Sequence, residues 1–89
     1  MVKSFTVQNA NFTNSTTTKP FDGVDISVDG YEPIGVVGYS FGFQDTSHYK
    51  CIVVVGCVIS AGGIAFRAIT TAGTYTGNIT VNVMYKKLG

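Results

Sequence analysis

Charge is what this chain has least of. Only 12% of its 89 residues are Asp, Glu, Lys or Arg, against about 25% in an ordinary soluble domain. Six basic and five acidic residues leave a net charge of +1. Binding to a phosphate backbone needs clustered Lys and Arg. Here Lys3, Lys19, Lys50 and Arg67 are scattered, and Lys86 and Lys87 form a terminal pair, so nucleic acid is not an expected partner. Long apolar runs are missing too. The longest, Cys51 to Ile59, is far short of the roughly 20 residues a membrane helix needs, and membrane insertion is not expected. The N-terminal Met-Val-Lys-Ser-Phe-Thr-Val-Gln has no apolar h-region, which excludes a signal peptide and implies synthesis in a cytoplasm.

Reactive side chains are equally few. The single histidine, His48, sits among loop-forming residues, with no base and orienter beside it of the kind nucleophilic catalysis requires. The two cysteines, Cys51 and Cys57, fall on one expected strand. There they lie about 20 Å apart at ~3.3 Å per residue, while a disulfide needs Cα atoms within about 7 Å. Two buried thiols are the expectation. Their spacing is not that of a zinc site. Asp25 and Asp29 lie about 13 Å apart on one strand face, too far to share an ion, so Asp22, Asp25, Asp29 and Glu32 read as a solvated face and a turn. Gly35, Gly38 and Gly42 do not form a dinucleotide fingerprint, and no helix follows them. No catalytic, metal or cofactor site is expected, and the chain is not expected to be an enzyme.

What is abundant is Thr, Val, Ile, Tyr and Phe, punctuated by eleven glycines. That composition builds strands and hairpins. Six strands are expected: Lys3–Gln8, Phe21–Val28, Ile34–Phe43, Tyr49–Ser60, Ile64–Thr71 and Ile79–Lys86. The Thr- and Asn-rich stretch Asn9–Lys19 reads as a loop, Asp29–Pro33 and Ala61–Gly63 as turns, and Thr74–Asn78 as a turn. Phe21–Val28 alternates cleanly, with Val24, Ile26 and Val28 on one side and Asp25, Ser27 and Asp29 on the other, the pattern of a half-exposed strand. Tyr49–Ser60 is apolar on both faces and reads as the central strand, with Val53 and Val55 in the core alongside Ile79, Val81 and Val83. On this reading Val55→Asp abolishes soluble expression. The fold class is all-β, a small antiparallel β-sandwich or jelly-roll-like barrel. It forms one domain, residues 1–89, with 1–19 as first strand and loop and 20–87 as the main sandwich. If every connection reverses, the loops near Asn9–Lys19, Gln44–His48 and Ala72–Gly77 share one end. Asp29–Pro33, Ser60–Gly63 and both termini share the other.

A domain this small buries a limited fraction of its surface. Combined with so little charge, this suggests that part of its surface is covered by copies of itself.

The segment Gly30-Tyr31-Glu32-Pro33-Ile34-Gly35-Val36-Val37-Gly38-Tyr39, with the closing Ile79-Thr80-Val81-Asn82-Val83-Met84-Tyr85-Lys86-Lys87, resembles the C-terminal β-sandwich domains of tail-fibre and baseplate receptor-binding proteins of tailed phages and prophages. The resemblance spans about residues 19–87 in order of features. It implies a virion structural protein, a homotrimer, and contact with a host surface glycan or wall polymer. It carries over no catalytic residue. A capsid decoration or collar protein without a receptor is the alternative. On the fibre reading the end away from the termini faces the host. Gln44, Asp45, Thr46, Ser47, His48, Thr74 and Tyr75 are then the candidate receptor-binding residues. Their amides, hydroxyls and carboxylate suit hydrogen bonds to a glycan, and Tyr75 or His48 offers a flat surface for a sugar ring.

Overall fold

In the computed structural model the described residues are 1–42 and 51–89. They form five strands: β1 (Val2–Phe12), β2 (Tyr31–Gly42), β3 (Ile52–Ser60), β4 (Gly63–Thr70) and β5 (Tyr75–Lys87). Two antiparallel sheets result, a three-stranded one in the order β1-β5-β2 and a β3-β4 hairpin. The fold is all-β and consistent with a small β-sandwich, elongated to 47 × 22 × 17 Å.

The centre of the larger sheet is β5. Its period-2 pattern sends Ile79, Val81, Val83 and Tyr85 inward, all buried, and Thr80 and Asn82 outward. The expected central strand was Tyr49–Ser60. Its described part, β3, instead lies at the edge of the hairpin, with Val53 and Val55 exposed. The cause is a β-bulge. Val54 pairs with Ala68 and Gly56 with Arg67, which leaves Val55 as an extra residue. An unpaired residue reverses the alternation. Ile52, Val54, Cys57 and Ile59 therefore pack on the core, and Val53, Val55 and Val58 face out.

A second bulge extends β1 beyond Gln8. Asn9 adopts a left-handed backbone (φ 57°) and its amide donates to Asn78 Oδ1 at 3.0 Å. Asn tolerates that conformation better than most residues. The extra residue turns Ala10 and Phe12 inward, where both are buried. The expected loop thus begins only after Phe12. It then closes one side of the sandwich: Thr18 exchanges two backbone hydrogen bonds with Ala68, at 2.8 and 3.1 Å, and Thr70 N–H donates to the Thr13 carbonyl. Of the expected turn Thr74–Asn78, residues 75–78 belong to β5 instead.

The segment Phe21–Val28 is not a strand, which corrects the sequence expectation. Its facing is as the alternation indicates, with Ile26 buried, Val24 and Val28 half-buried, and Asp25, Ser27 and Asp29 exposed. Its backbone is held by side chains instead of a ladder. The Tyr85 hydroxyl donates to the Ile26 carbonyl, and Asp25 Oδ1 accepts from the Ser27 amide at 2.9 Å and its hydroxyl at 2.7 Å. Alternation reports one-sided burial, not pairing.

The described connections fall at the ends that the reversal argument gives them, while Gln44–His48 lies outside the described residues. Val2 pairs with Met84 and Tyr31 with Lys87, so both termini share an end with the turn at Gly30. Phe12 pairs with Tyr75 and Gly42 with Asn78 at the other. β4 ends at Thr70 beside Thr13, so the β3–β4 turn points back towards the termini. At that turn Ala61 takes the left-handed region as well (φ 51°).

Candidate functional site

Of the candidate receptor residues, Thr74 and Tyr75 are among the described ones. Gln44, Asp45, Thr46, Ser47 and His48 lie outside the described residues. Thr74 is exposed at the end opposite the termini. Tyr75 follows it as the first residue of β5 but is half-buried, packed against the core, with its hydroxyl 3.7 Å from Cys51 Sγ. The turn before it depends on Gly73. That residue is left-handed (φ 79°), and a Cβ there would come within 3.2 Å of the Tyr75 hydroxyl. Thr70 Oγ1 donates to the Gly73 carbonyl at 2.6 Å. Tyr75 therefore acts as a wedge between the 71–74 turn and the start of β3, with only part of its ring available to a sugar.

Other polar side chains are mostly paired with one another. Arg67 holds Asp22 at 3.1 Å, and its guanidinium also donates to the Phe66 carbonyl at 3.0 Å. The two flank a shallow, open cleft of about 200 Å³ between the Asp22-Gly23-Val24 turn and the β3–β4 turn. On the outer face of the larger sheet, Ser4 Oγ donates to Asn82 Oδ1 at 2.6 Å and the Thr6 and Thr80 hydroxyls lie 2.8 Å apart. Among the described residues, no three His, Cys, Asp or Glu side chains converge as metal ligands would. Both cysteines are free thiols. Burial pushes the Cys57 thiol above its ordinary value, which reduces the thiolate that a nucleophile needs. The two Ser27 hydrogen bonds hold the Asp25 carboxyl below its ordinary value, the mark of a turn-forming carboxylate, not of a proton donor.

The feature that sequence reasoning misplaced is the outer face of the hairpin. Val53, Val55 and Val58 are 45%, 65% and 58% exposed. Across the ladder stand Ile69 opposite Val53 and Ala65 opposite Val58, both half-buried. Arg67, opposite Gly56, is the one charged residue among these outward positions, and it is tied to Asp22. A glycine inside a strand pattern signals a bulge, so Gly56 was the clue that β3 does not keep one register. A second apolar group, Val2, Ile34, Val37 and Met84, is exposed at one end of the larger sheet's outer face. There it borders the polar Ser4, Thr6, Thr80 and Asn82.

Comparison with known protein families, curated proteins and solved structures finds no match to this chain.

Proposed function

We propose that the chain is a non-catalytic structural module that works as a homo-oligomer. The observation that carries this reading is the valine face of the hairpin. A soluble monomer ordinarily alternates apolar-in with polar-out along a half-exposed strand, whereas β3 turns Val53, Val55 and Val58 to solvent. Nothing among the described residues competes with this as a chemical site: the one ion pair beside a cleft is already satisfied by its own members.

Attachment of a virion to a host surface is the role that the resemblance to tail-fibre domains assigns to such an oligomer, as a trimer. The separation of the termini from the Thr74 end supports that orientation, because one end is free to anchor and the other to make contact. The test is sedimentation of the purified protein together with binding to bacterial cells and wall glycans. An oligomer that binds cells supports attachment. An oligomer that binds neither cells nor glycans removes the receptor and leaves a structural element. A monomer at high micromolar concentration overturns the reading itself.

A further inference from the structure

We infer that the Asp29–Gly30 turn is a site of spontaneous covalent modification, at which aspartate converts to isoaspartate through a succinimide, and that Arg67 guards the matching Asp22–Gly23 turn against the same reaction. The inference goes beyond the proposed assembly and does not rest on it.

The chain has four aspartates, Asp22, Asp25, Asp29 and Asp45. Asp45 lies outside the described residues. Asp25 precedes Ile26, whose β-branched side chain crowds the amide nitrogen, and the Ser27 amide and hydroxyl already hold its carboxylate. Asp22 and Asp29 each precede glycine, whose nitrogen has no side chain to shield it from a neighbouring carboxyl carbon.

The fold builds both Asp–Gly pairs into one kind of turn. Val24 N–H donates to the Phe21 carbonyl at 3.1 Å, and Tyr31 N–H to the Val28 carbonyl at 3.0 Å. Each pair therefore fills the two central positions, with Gly23 at φ 80° and Gly30 at φ 78°. A left-handed third residue marks the type II turn. The closing hydrogen bond of such a turn does not use the glycine amide. Glycine also takes either sign of φ at little cost, so the central peptide can flip and swing the glycine nitrogen towards Cγ without opening the turn. All four residues are exposed, and nothing lies within 4 Å of where a Cβ on Gly23 or Gly30 would stand.

The two turns differ in what holds the carboxylate. Asp22 Oδ1 is tied to the Arg67 guanidinium at 3.1 Å. Among the described residues, the Asp29 carboxylate has no ion pair or hydrogen bond. Asp22 must leave Arg67 before its Cγ can meet Gly23, and Asp29 has nothing to leave.

The reaction consumes only the chain and water. The Gly30 nitrogen bonds to Asp29 Cγ, and its proton departs with a carboxyl oxygen as water, closing the ring. Water then opens the ring at either carbonyl. Breaking the bond from nitrogen to Cγ restores aspartate. Breaking the bond from nitrogen to the Asp29 main-chain carbonyl carbon leaves the chain running through Cβ and Cγ, with a free α-carboxylate. Charge is unchanged, but the backbone is longer by one methylene. The turn that starts β2 then loses its fit: Tyr31 N–H no longer meets the Val28 carbonyl, and the Gly30 carbonyl moves from the Leu88 amide that donates to it at 2.8 Å.

The experiment incubates the folded chain at physiological temperature and neutral pH. Peptide mapping with electron-transfer fragmentation then locates isoaspartate at unchanged mass. Isoaspartate is expected at residue 29 about two- to fivefold faster than at residue 22, the factor an exposed ion pair supplies. In urea the two rates are expected to converge. Arg67→Gln with an unchanged circular dichroism spectrum is expected to raise the rate at residue 22 to that at residue 29. Salt at about 1 M, where the Debye length is ~3 Å, is expected to do the same to the parent chain without any substitution. Asp29→Glu is expected to abolish the conversion at that turn. Hydrogen exchange at Tyr31 and Leu88 is expected to quicken in step with isoaspartate in the parent and to stay constant in Asp29→Glu. Isoaspartate that forms at residue 29 only in urea overturns the site. Equal rates at the two turns in the folded chain, or a rate at residue 22 indifferent to both Arg67→Gln and salt, overturn the guard. A preference for residue 29 that persists in urea belongs to the neighbouring sequence and overturns the structural assignment.

Discussion

Phe12 is fully buried and meets the ring of Phe41 edge to face, centroids 5.8 Å apart. Truncating a ring in such a site removes its transfer energy and leaves a cavity. Phe12→Ala is expected to cost about 3–5 kcal/mol, read as a lowered urea midpoint, while Val55→Ala moves the midpoint of the monomer by about 0.5 kcal/mol or less. Tyr85 is one of the residues on which pH acts. Burial, and secondarily the Asp25 carboxylate, raise its phenol above the ordinary value, which is about 10. The folded state therefore favours the protonated phenol. Its contribution is complete below pH about 10 and is lost as pH climbs through the raised folded value. Tyr85→Phe removes both this dependence and the hydrogen bond to the Ile26 carbonyl. The expected result is a protein less stable at neutral pH by about 1–2 kcal/mol, with a flatter loss of stability in alkali, measured by urea unfolding between pH 7 and 11.

Among the elements, the bulges decide what faces what. Deleting Val55 would set Val54, Gly56 and Cys57 opposite Ala68, Arg67 and Phe66 in one unbroken ladder, with Ile52 and Val54 still inward and Val53 outward. No core side chain is lost, so the deletion is expected to change stability by about 0.5 kcal/mol or less, seen in urea unfolding. The same devices mark the limit of what the sequence makes legible. β5 was readable because it is regular: Ile79, Val81 and Val83 alternate without interruption, and all three are buried. β2 was half readable. Tyr39 and Phe41 share a face as their spacing requires, but extra residues at Ile34 and Val37 put Val36 on that face and Val37 outside. In β1 the polar Asn-Ala-Asn stretch hid a strand, because one left-handed residue, Asn9, brings Phe12 to the core. Phe21–Val28 hid the reverse case, a strand-like pattern satisfied by the Tyr85 and Asp25 side chains. As for the candidate receptor residues, Thr74 stands at the expected end. Tyr75 is half-buried for a reason the sequence does not show, its packing between Gly73 and Cys51.

At the scale of the molecule, the first and last strands are neighbours, and the Met1 amino group reaches the Tyr85 carbonyl at 3.3 Å. No part of the larger sheet can form without β5, since β1 and β2 pair within it only with β5. Removing residues 79–89 is therefore expected to abolish the cooperative unfolding transition altogether, not to lower it, and the loss of the near-ultraviolet dichroism of the buried aromatic residues would show this. The full chain is expected to refold in milliseconds to seconds, the range of proteins built on distant pairings, as stopped-flow fluorescence of its tyrosines would record.

The central position of β5 has a consequence for how the protein is made. β1 ends at Phe12 and its partner begins at Tyr75, a gap of 63 residues (75 − 12). At about 5–20 residues per second, a ribosome leaves β1 without its partner for roughly 3 to 13 seconds. Through that interval Phe5, Val7 and Phe12 have no sheet to enter. Among the described strands, the β3–β4 hairpin, closed by a short local turn, is the pairing the nascent chain can complete before β5 emerges. Its valine face is then already displayed while the rest of the polypeptide is unfolded. In a cell making many copies at once, the first encounter between two chains can therefore precede the completion of either.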